Sequence, residues 1–195
     1  MRIISGKYKG RRITAPKNLP VRPTTDMSKE SLFNILNNRF DFEGLKVLDL
    51  FSGTGNISYE FASRGAASVT SVDADFGCIK FIKQTSSEFQ FDIMAQKSDV
   101  IKFLKTNNKS SYDIIFADPP YNMDQKIFEE IVTLILENEL LQPDGMMIIE
   151  HSKHTTLSHM MNFSFQKNYG GSVFSFFEFD EEIEDDIIAD EEDFM

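Results

Sequence analysis

The sequence predicts an α/β fold, a largely parallel sheet covered by helices on both faces. Three observations carry this. From residue 45 onward short apolar runs alternate with amphipathic stretches, the signature of repeated βα units. The runs are continuously apolar, as strands buried on both faces are. No internal repeat and no second apolar core is visible, so 195 residues with 41% apolar content and 19 Phe suit a single domain.

The chain opens with two β-prone pieces, "RIISG" and "GRRIT", separated by "KYK", which read as a small hairpin-like arm. "APKNLPVRPTT" follows, where Pro16, Pro20 and Pro23 predict a stiff extended linker. Thr25 is placed to cap a helix over 26–38, with Leu32, Ile35 and Leu36 on one face. "KVLDLF" predicts the first strand, and "NISYEFASR" a helix closed by Gly65. "SVTSVD" is the second strand, followed by a helix carrying Ile79, Phe81 and Ile82. "FDIMAQ" predicts a third strand and "DVIKFLK" a short helix. "YDIIFA" is the fourth, before a helix with Ile127, Phe128, Ile131, Leu134 and Ile135, and "GMMIIEH" is the fifth. "NFSFQKNYGGSVFSFFEF" predicts two strands joined at Gly170-Gly171. Three regions result: a basic arm and linker over 1–25, one domain over 26–179, and an acidic tail over 180–195.

The net charge of −11 is unevenly placed. Residues 178–195 hold eleven acids and no Lys or Arg, so residues 1–177 are neutral, with 20 of each sign. Residues 1–30 carry eight bases against Asp26 and Glu30. A basic head can track phosphates of a nucleic acid, although a solvated surface is the plainer reading of charge alone. The tail composition predicts a disordered, solubilising segment. No apolar run approaches a membrane span, and Met1-Arg2-Ile3-Ile4-Ser5 is no signal peptide. A single cysteine, Cys78, excludes an internal disulfide framework and fits a reducing cytoplasm. It reads as a small core residue within a helix, not a nucleophile.

Ligands of open α/β sheets bind beyond the carboxyl ends of the strands. Strand one ends in "LDLFSGTGNIS". Gly53 and Gly55 allow a tight turn before a helix N-terminus at Asn56, a loop able to approach a ligand closely. Ser58 stands where G-x-G-x-x-G needs its third glycine, and a P-loop lysine is missing. Asp49, just inside the strand end, suits a cationic or amine-bearing ligand better than a phosphate. Together these favour S-adenosylmethionine over a dinucleotide. Asp73, ending strand two, is placed to accept from a ribose diol. After strand three, Asp99 could accept from an adenine amine while the Val100 N–H donates to a ring nitrogen. Each acid alone is more often a helix cap; the three at successive strand ends form a more specific pattern.

Strand four ends in "ADPPYNM". A Pro-Pro corner removes backbone donors and leaves carbonyl oxygens as acceptors. The Asp118 carboxylate and the Pro119 carbonyl could accept both hydrogens of an exocyclic amine, with Pro120 stiffening the corner. Such an amine is a poor nucleophile because its lone pair is delocalised. Two acceptors would favour a pyramidal nitrogen and stabilise its developing positive charge. Tyr121 would stack on the base, which must be flipped or looped out to be reached.

"LDLFSGTG…VDAD…SDV…FADPPY" resembles the class I S-adenosylmethionine-dependent methyltransferases that modify amino groups. "RIISGKYKGRRI" followed by "RPTTDMSKESLFNIL" is similar to the RsmD family of 16S rRNA guanine-N2 methyltransferases. The resemblance covers nearly everything from Arg2 to about Phe179. It implies a Rossmann-like, seven-stranded mixed sheet flanked by helices, with Asp118 catalytic in its Asp118-Pro119-Pro120-Tyr121 motif. It also implies Asp49, Phe51, Gly53, Gly55, Asp73, Asp99 and Val100 around the cofactor. It implies contact of Lys7, Lys9, Arg11, Arg12 and Arg22 with 16S rRNA, in a cytoplasmic enzyme read as a monomer acting on small-subunit particles. Only Lys29 is basic in the stretch after Asp26, where the family usually carries more bases.

Other readings are a DNA adenine-N6 or protein amide methyltransferase, and an inactive RNA-binding assembly factor. Asn is the usual residue at position 118 in amide methylation, and the intact Asp49, Gly53, Asp73 and Asp118 speak against a vestigial site. His151, His154 and His159 invite a metal reading, but no cysteine lies nearby and amine methylation needs no metal, so none is expected.

Overall fold

The computed structural model describes residues 1–17, 19, 26–107 and 110–179. Helix α1 (Asp26–Asn37) precedes four strand–helix pairs and a fifth strand: β1 (Lys46–Leu50), α2 (Asn56–Arg64), β2 (Ser68–Asp73), α3 (Phe76–Phe89), β3 (Ile93–Lys97), α4 (Val100–Thr106), β4 (Tyr112–Ala117), α5 (Gln125–Glu137) and β5 (Leu141–Ser152). The hairpin β6 (Phe163–Tyr169) and β7 (Ser172–Phe177) closes the chain. The seven strands form one sheet in the order β3-β2-β1-β4-β5-β7-β6. The first five are parallel, while β7 runs antiparallel between β5 and β6.

Both faces are covered, which is why the strands read as unbroken apolar runs. Leu48, Leu50, Ile115, Ala117, Met147 and Ile149 face α4 and α5. Their sequence neighbours Val47, Ile114, Phe116, Met146 and Ile148 face α1 and α2 through Leu32, Phe33, Leu36, Ile57 and Phe61. This alternation along each strand is the two-residue period of β structure.

The structure departs from the sequence expectations in five places. Phe51 is not the last residue of β1: it has φ 59° and turns the chain out of the sheet. β3 ends one residue later than expected and α4 begins at Val100, with Asp99 as its cap. β5 starts at Leu141 instead of Gly145, because Pro143-Asp144-Gly145 reads locally as a turn although the strand continues through it. Cys78 lies in the first turn of α3, not mid-helix, yet is fully buried as expected, and burial pushes its thiol up to about 12. The arm is built around one antiparallel bridge, Arg2 to Arg12, without regular strands. Thr25, Pro20, Pro23, Arg22 and the acidic tail over 180–195 lie outside the described residues.

The arm is anchored by a buried ion pair. Lys29 of α1 and Glu60 of α2 are 1% and 0% exposed, with Nζ and Oε2 3.3 Å apart. The ammonium has three protons, and three acceptors surround it: Glu60, the Arg2 carbonyl at 2.6 Å and Asn56 Oδ1 at 2.9 Å. Glu60 in turn accepts the N–H groups of Ile4 and Ser5 and the Arg64 guanidinium. Ile3 and Ile13 are buried against Tyr59, Ile79, Ile82 and Phe89. Farther out, the Lys7 N–H donates to the Ser63 carbonyl and the Tyr8 hydroxyl to the Phe89 carbonyl at 2.6 Å. The arm therefore lies lengthwise on α2 and α3, its base beside Asn56 and its tip at their far ends.

Candidate functional site

β1 sits between β2 and β4, so the crossover direction reverses at its carboxyl end. A crevice forms at such a switch point. The register sets Leu50 beside Val72 on one side and Ala117 on the other, and the loops beyond are stapled across that edge. The Ser52 N–H donates to the Val72 carbonyl, the Asp118 N–H to the Leu50 carbonyl, and the Ser98 N–H to the Asp73 carbonyl. Left-handed Phe51, Gly53 and Gly55, with φ 59°, 52° and 83°, fold the loop back into α2. Gly55 is required twice: its φ suits glycine, and a Cβ there would stand 2.8 Å from the Tyr59 ring.

Two acids hold this loop, and a third caps the helix after β3. Asp49 is 1% exposed and accepts from both the backbone N–H and the hydroxyl of Ser58. The residue in place of the third glycine is thus the one that fixes the carboxylate. Burial is the main reason that Asp49 is pushed up to about 7, with the Ser58 hydrogen bonds acting in the opposite direction. Asp73 accepts from the Gly53 N–H at 2.8 Å with one oxygen and from the Asp75 N–H at 2.8 Å with the other. Each oxygen keeps a further lone pair for a ligand hydroxyl. Asp99 caps α4 by accepting from the Lys102 N–H at 2.9 Å, and its side chain is exposed. Val100 is buried as the first residue of that helix, where no intrahelical carbonyl takes its N–H. The Ser52 hydroxyl is buried in the loop with no hydrogen-bond partner among the described residues.

At the end of β4, Asp118 is half-buried, Pro119 buried and Pro120 exposed. The Pro120 carbonyl accepts the Met123 N–H at 2.9 Å, so the two proline carbonyls differ. Pro120 thereby closes a turn just beyond β4. The Tyr121 hydroxyl donates to Glu150 Oε1 at 3.0 Å and lies in hydrogen-bond contact with Ser172 Oγ. Burial is the main reason that this phenol is held above its ordinary value.

Sequence reasoning missed Glu150, Ser172 and Ser58. Glu150 had a signal, an acid closing the apolar run "MMIIE" as Asp49, Asp73 and Asp118 close theirs. Ser58 and Ser172 had none beyond position. The basic residues are exposed but divided: Arg12 is at the arm's base with Arg2, whereas Lys7, Lys9 and Arg11 are toward its tip, Arg11 over the Phe89 ring. Arg2 pairs with Asp26 and Glu30. Both ring nitrogens of His151 are hydrogen-bonded in the core, His159 faces Glu129, and His154 is exposed. A cavity of about 1280 Å³ lined by Arg39, Leu141, Gly145, Asn162 and Glu178 lies at the opposite edge and contains none of the expected site residues.

Residues 1–178 match the family model Conserved hypothetical protein 95. The ribosomal RNA small subunit methyltransferase D of Haemophilus influenzae is 31% identical over 183 residues, spanning 90% of this chain and 91% of that one. The chain belongs to the RsmD family. Its relative of the same name in Buchnera aphidicola is 34% identical over 151 residues, covering 77% of this chain and 75% of the other. The solved structure of yhhF from Escherichia coli is 27% identical with a TM-score of 0.77, covering 91% and 96% of the two chains. A Thermus thermophilus 16S rRNA N2 G1207 methyltransferase, solved with AdoMet and guanosine, shares the fold alone, at 19% identity and a TM-score of 0.66 over 82% of this chain and 45% of that one. The sheet is the Rossmann-like class I methyltransferase sheet.

Proposed function

We propose that this RsmD-family chain transfers a methyl group from S-adenosylmethionine to the N2 amine of a guanine in 16S rRNA. The observation that carries the reading is the corner at the end of β4, with Asp118 and the Pro119 carbonyl beside the β1 switch point. The donor set around the glycine loop fits the cofactor. Buried Asp49 faces its cationic amino-acid end, Asp73 its ribose diol, and Asp99 with the Val100 N–H its adenine. Phe51, Gly53 and Gly55 shape the loop, which has no Lys or Arg between residues 47 and 63. When bound, S-adenosylmethionine supplies an electrophilic methyl group. Asp118 and the Pro119 carbonyl accept the two amine hydrogens, orient the nitrogen lone pair and stabilise its developing charge. Tyr121 supplies the stacking face, a contact worth about 1–3 kcal/mol per base.

The arm and linker over 1–25 contact RNA through Lys7, Lys9, Arg11, Arg12 and Arg22, and residues 26–179 form the catalytic domain. The acidic tail over 180–195 remains outside both. No helix among the described residues is long and apolar enough to cross a membrane, and the enzyme works as a cytoplasmic monomer on small-subunit particles. In the test, purified protein and methyl-labelled cofactor are incubated separately with naked rRNA, small-subunit particles and duplex DNA. Label on a guanine N2 of the small-subunit RNA is expected. Label on DNA alone, or mapped to an adenine, overturns the reading.

Asp49 makes cofactor binding pH-dependent. Its folded value, about 7, lies above the ordinary carboxylate value, so its contribution to stability is full below about pH 4 and is lost as the pH rises toward 7. A cationic ligand favours the ionised form. Affinity for S-adenosylmethionine is therefore expected to rise between about pH 6 and pH 8, with a proton released near neutrality. Calorimetry in buffers of different ionisation enthalpy measures both, and a flat profile would rule out the charge pairing.

A further inference from the structure

We propose that Glu150 is a positioning residue: with Ser172 it clamps the Tyr121 hydroxyl and so holds that ring as the platform for the target base. The inference rests on the reading of Tyr121 as the stacking face. Tyr121 follows two prolines, in a turn closed by the Met123 N–H on the Pro120 carbonyl at 2.9 Å. The backbone is thereby fixed, but the ring retains two side-chain torsions. The hydroxyl removes that freedom. It donates to Glu150 Oε1 at 3.0 Å and contacts Ser172 Oγ. An ionised carboxylate only accepts, so the tyrosine proton points to Glu150 and Ser172 donates its own to the phenol oxygen. Every bond in the relay then has one direction.

The three residues come from separate places in the chain. Glu150 lies near the carboxyl end of β5, Ser172 opens β7, and Tyr121 lies between β4 and α5. The clamp exists because β7 pairs with β5, bringing Ser172 opposite Ser152 and Phe174 opposite Glu150. Ala117 pairs with Ile149, so Asp118 and Glu150 are the next residues on neighbouring strands. Their tasks differ: Asp118 stands at the corner, and Glu150 is turned onto the ring. Glu150 is 5% exposed and Ser172 8%. A buried carboxylate is a costly choice where an apolar side chain could pack; here it fixes the orientation of an aromatic plane, and the dry setting strengthens the bond.

The test measures transfer to small-subunit RNA and S-adenosylmethionine affinity for Tyr121→Phe, Glu150→Leu, their double variant, Glu150→Gln and Tyr121→Leu. Tyr121→Phe and Glu150→Leu are each expected to lower kcat/KM for RNA by about tenfold, and the double variant by no more than either alone. Cofactor Kd stays constant, and Glu150→Gln, which keeps an acceptor oxygen, recovers most of the lost rate. Tyr121→Phe at full rate, or losses that multiply in the double variant, overturn the clamp. Should Glu150→Leu fail to fold, Tyr121→Phe alone decides by the same criterion. Tyr121→Leu separates the two readings. Full activity there removes the stacking face itself, whereas a loss there with Tyr121→Phe unchanged removes only the clamp.

Discussion

Asp118→Ala is expected to reduce methyl transfer by on the order of 10²–10³-fold in kcat, the usual effect of removing one preorganised group aimed at developing charge. Cofactor affinity should change little. The side chain is half-buried at the strand end, while a backbone bond of this residue, its N–H on the Leu50 carbonyl at 3.3 Å, survives the substitution. Asp118→Asn retains one acceptor oxygen but adds two donors facing the amine, so it should fall between the wild type and Asp118→Ala. Single-turnover transfer with labelled cofactor, alongside a direct measurement of S-adenosylmethionine binding, separates chemistry from binding. Asp118→Ala with full turnover would show that the carboxylate has no part in the reaction. A parallel loss of cofactor binding would place it in the cofactor site instead.

Lys29→Met carries the largest expected effect on stability. Lys29 is 1% exposed and meets three acceptors, and its removal leaves Glu60, 0% exposed, partnered by Arg64 and two backbone N–H groups. Breaking a buried pair by removing one partner costs about 3–5 kcal/mol. Arg64, which remains 2.9 Å from Glu60, places this case at the lower end, about 3 kcal/mol. For a chain of this size that corresponds to a Tm lower by roughly 6–12 °C. Because Arg2 and Asn56 both lose a bond, limited proteolysis should release the arm first. The double variant Lys29→Met/Glu60→Gln should lose less than the sum of the single changes. Thermal denaturation followed by circular dichroism checks both, and an unchanged Tm for Lys29→Met would contradict the assignment of this ion pair as the anchor of the arm.

The same pair shows where local pattern stops being informative. Lys29 and Glu60 look like solvated charges on amphipathic helices, and nothing within a few residues of either marks it as buried. Their burial follows from the arm lying along α2, which covers them and supplies the Arg2 carbonyl and the Ile4 and Ser5 N–H groups. The strand of "YDIIFA" and the helix of "NISYEFASR", by contrast, have the boundaries that their sequences predict. Each is decided by neighbouring residues alone: an unbroken apolar run in one, a glycine able to take φ 108° after the last turn in the other.

By itself, then, the sequence determined the βα alternation, the acids at the strand ends, the glycine loop and the Asp-Pro-Pro-Tyr corner. These features depend on periodicity and on the conformational limits of Gly and Pro, which act over a few residues. Only the tertiary structure decided which acceptors are already taken. Pro120 gives its carbonyl to Met123, Asp73 holds Gly53 and Asp75, Asp49 holds Ser58, and Glu150 holds Tyr121. It also decided that β7, buried at every position, lies inside β6, which has no fully buried residue. The physical reason is common to all of these. A polar group's partner is set by what strand order and burial bring within 3 Å of it, and no local pattern of residues encodes that neighbour.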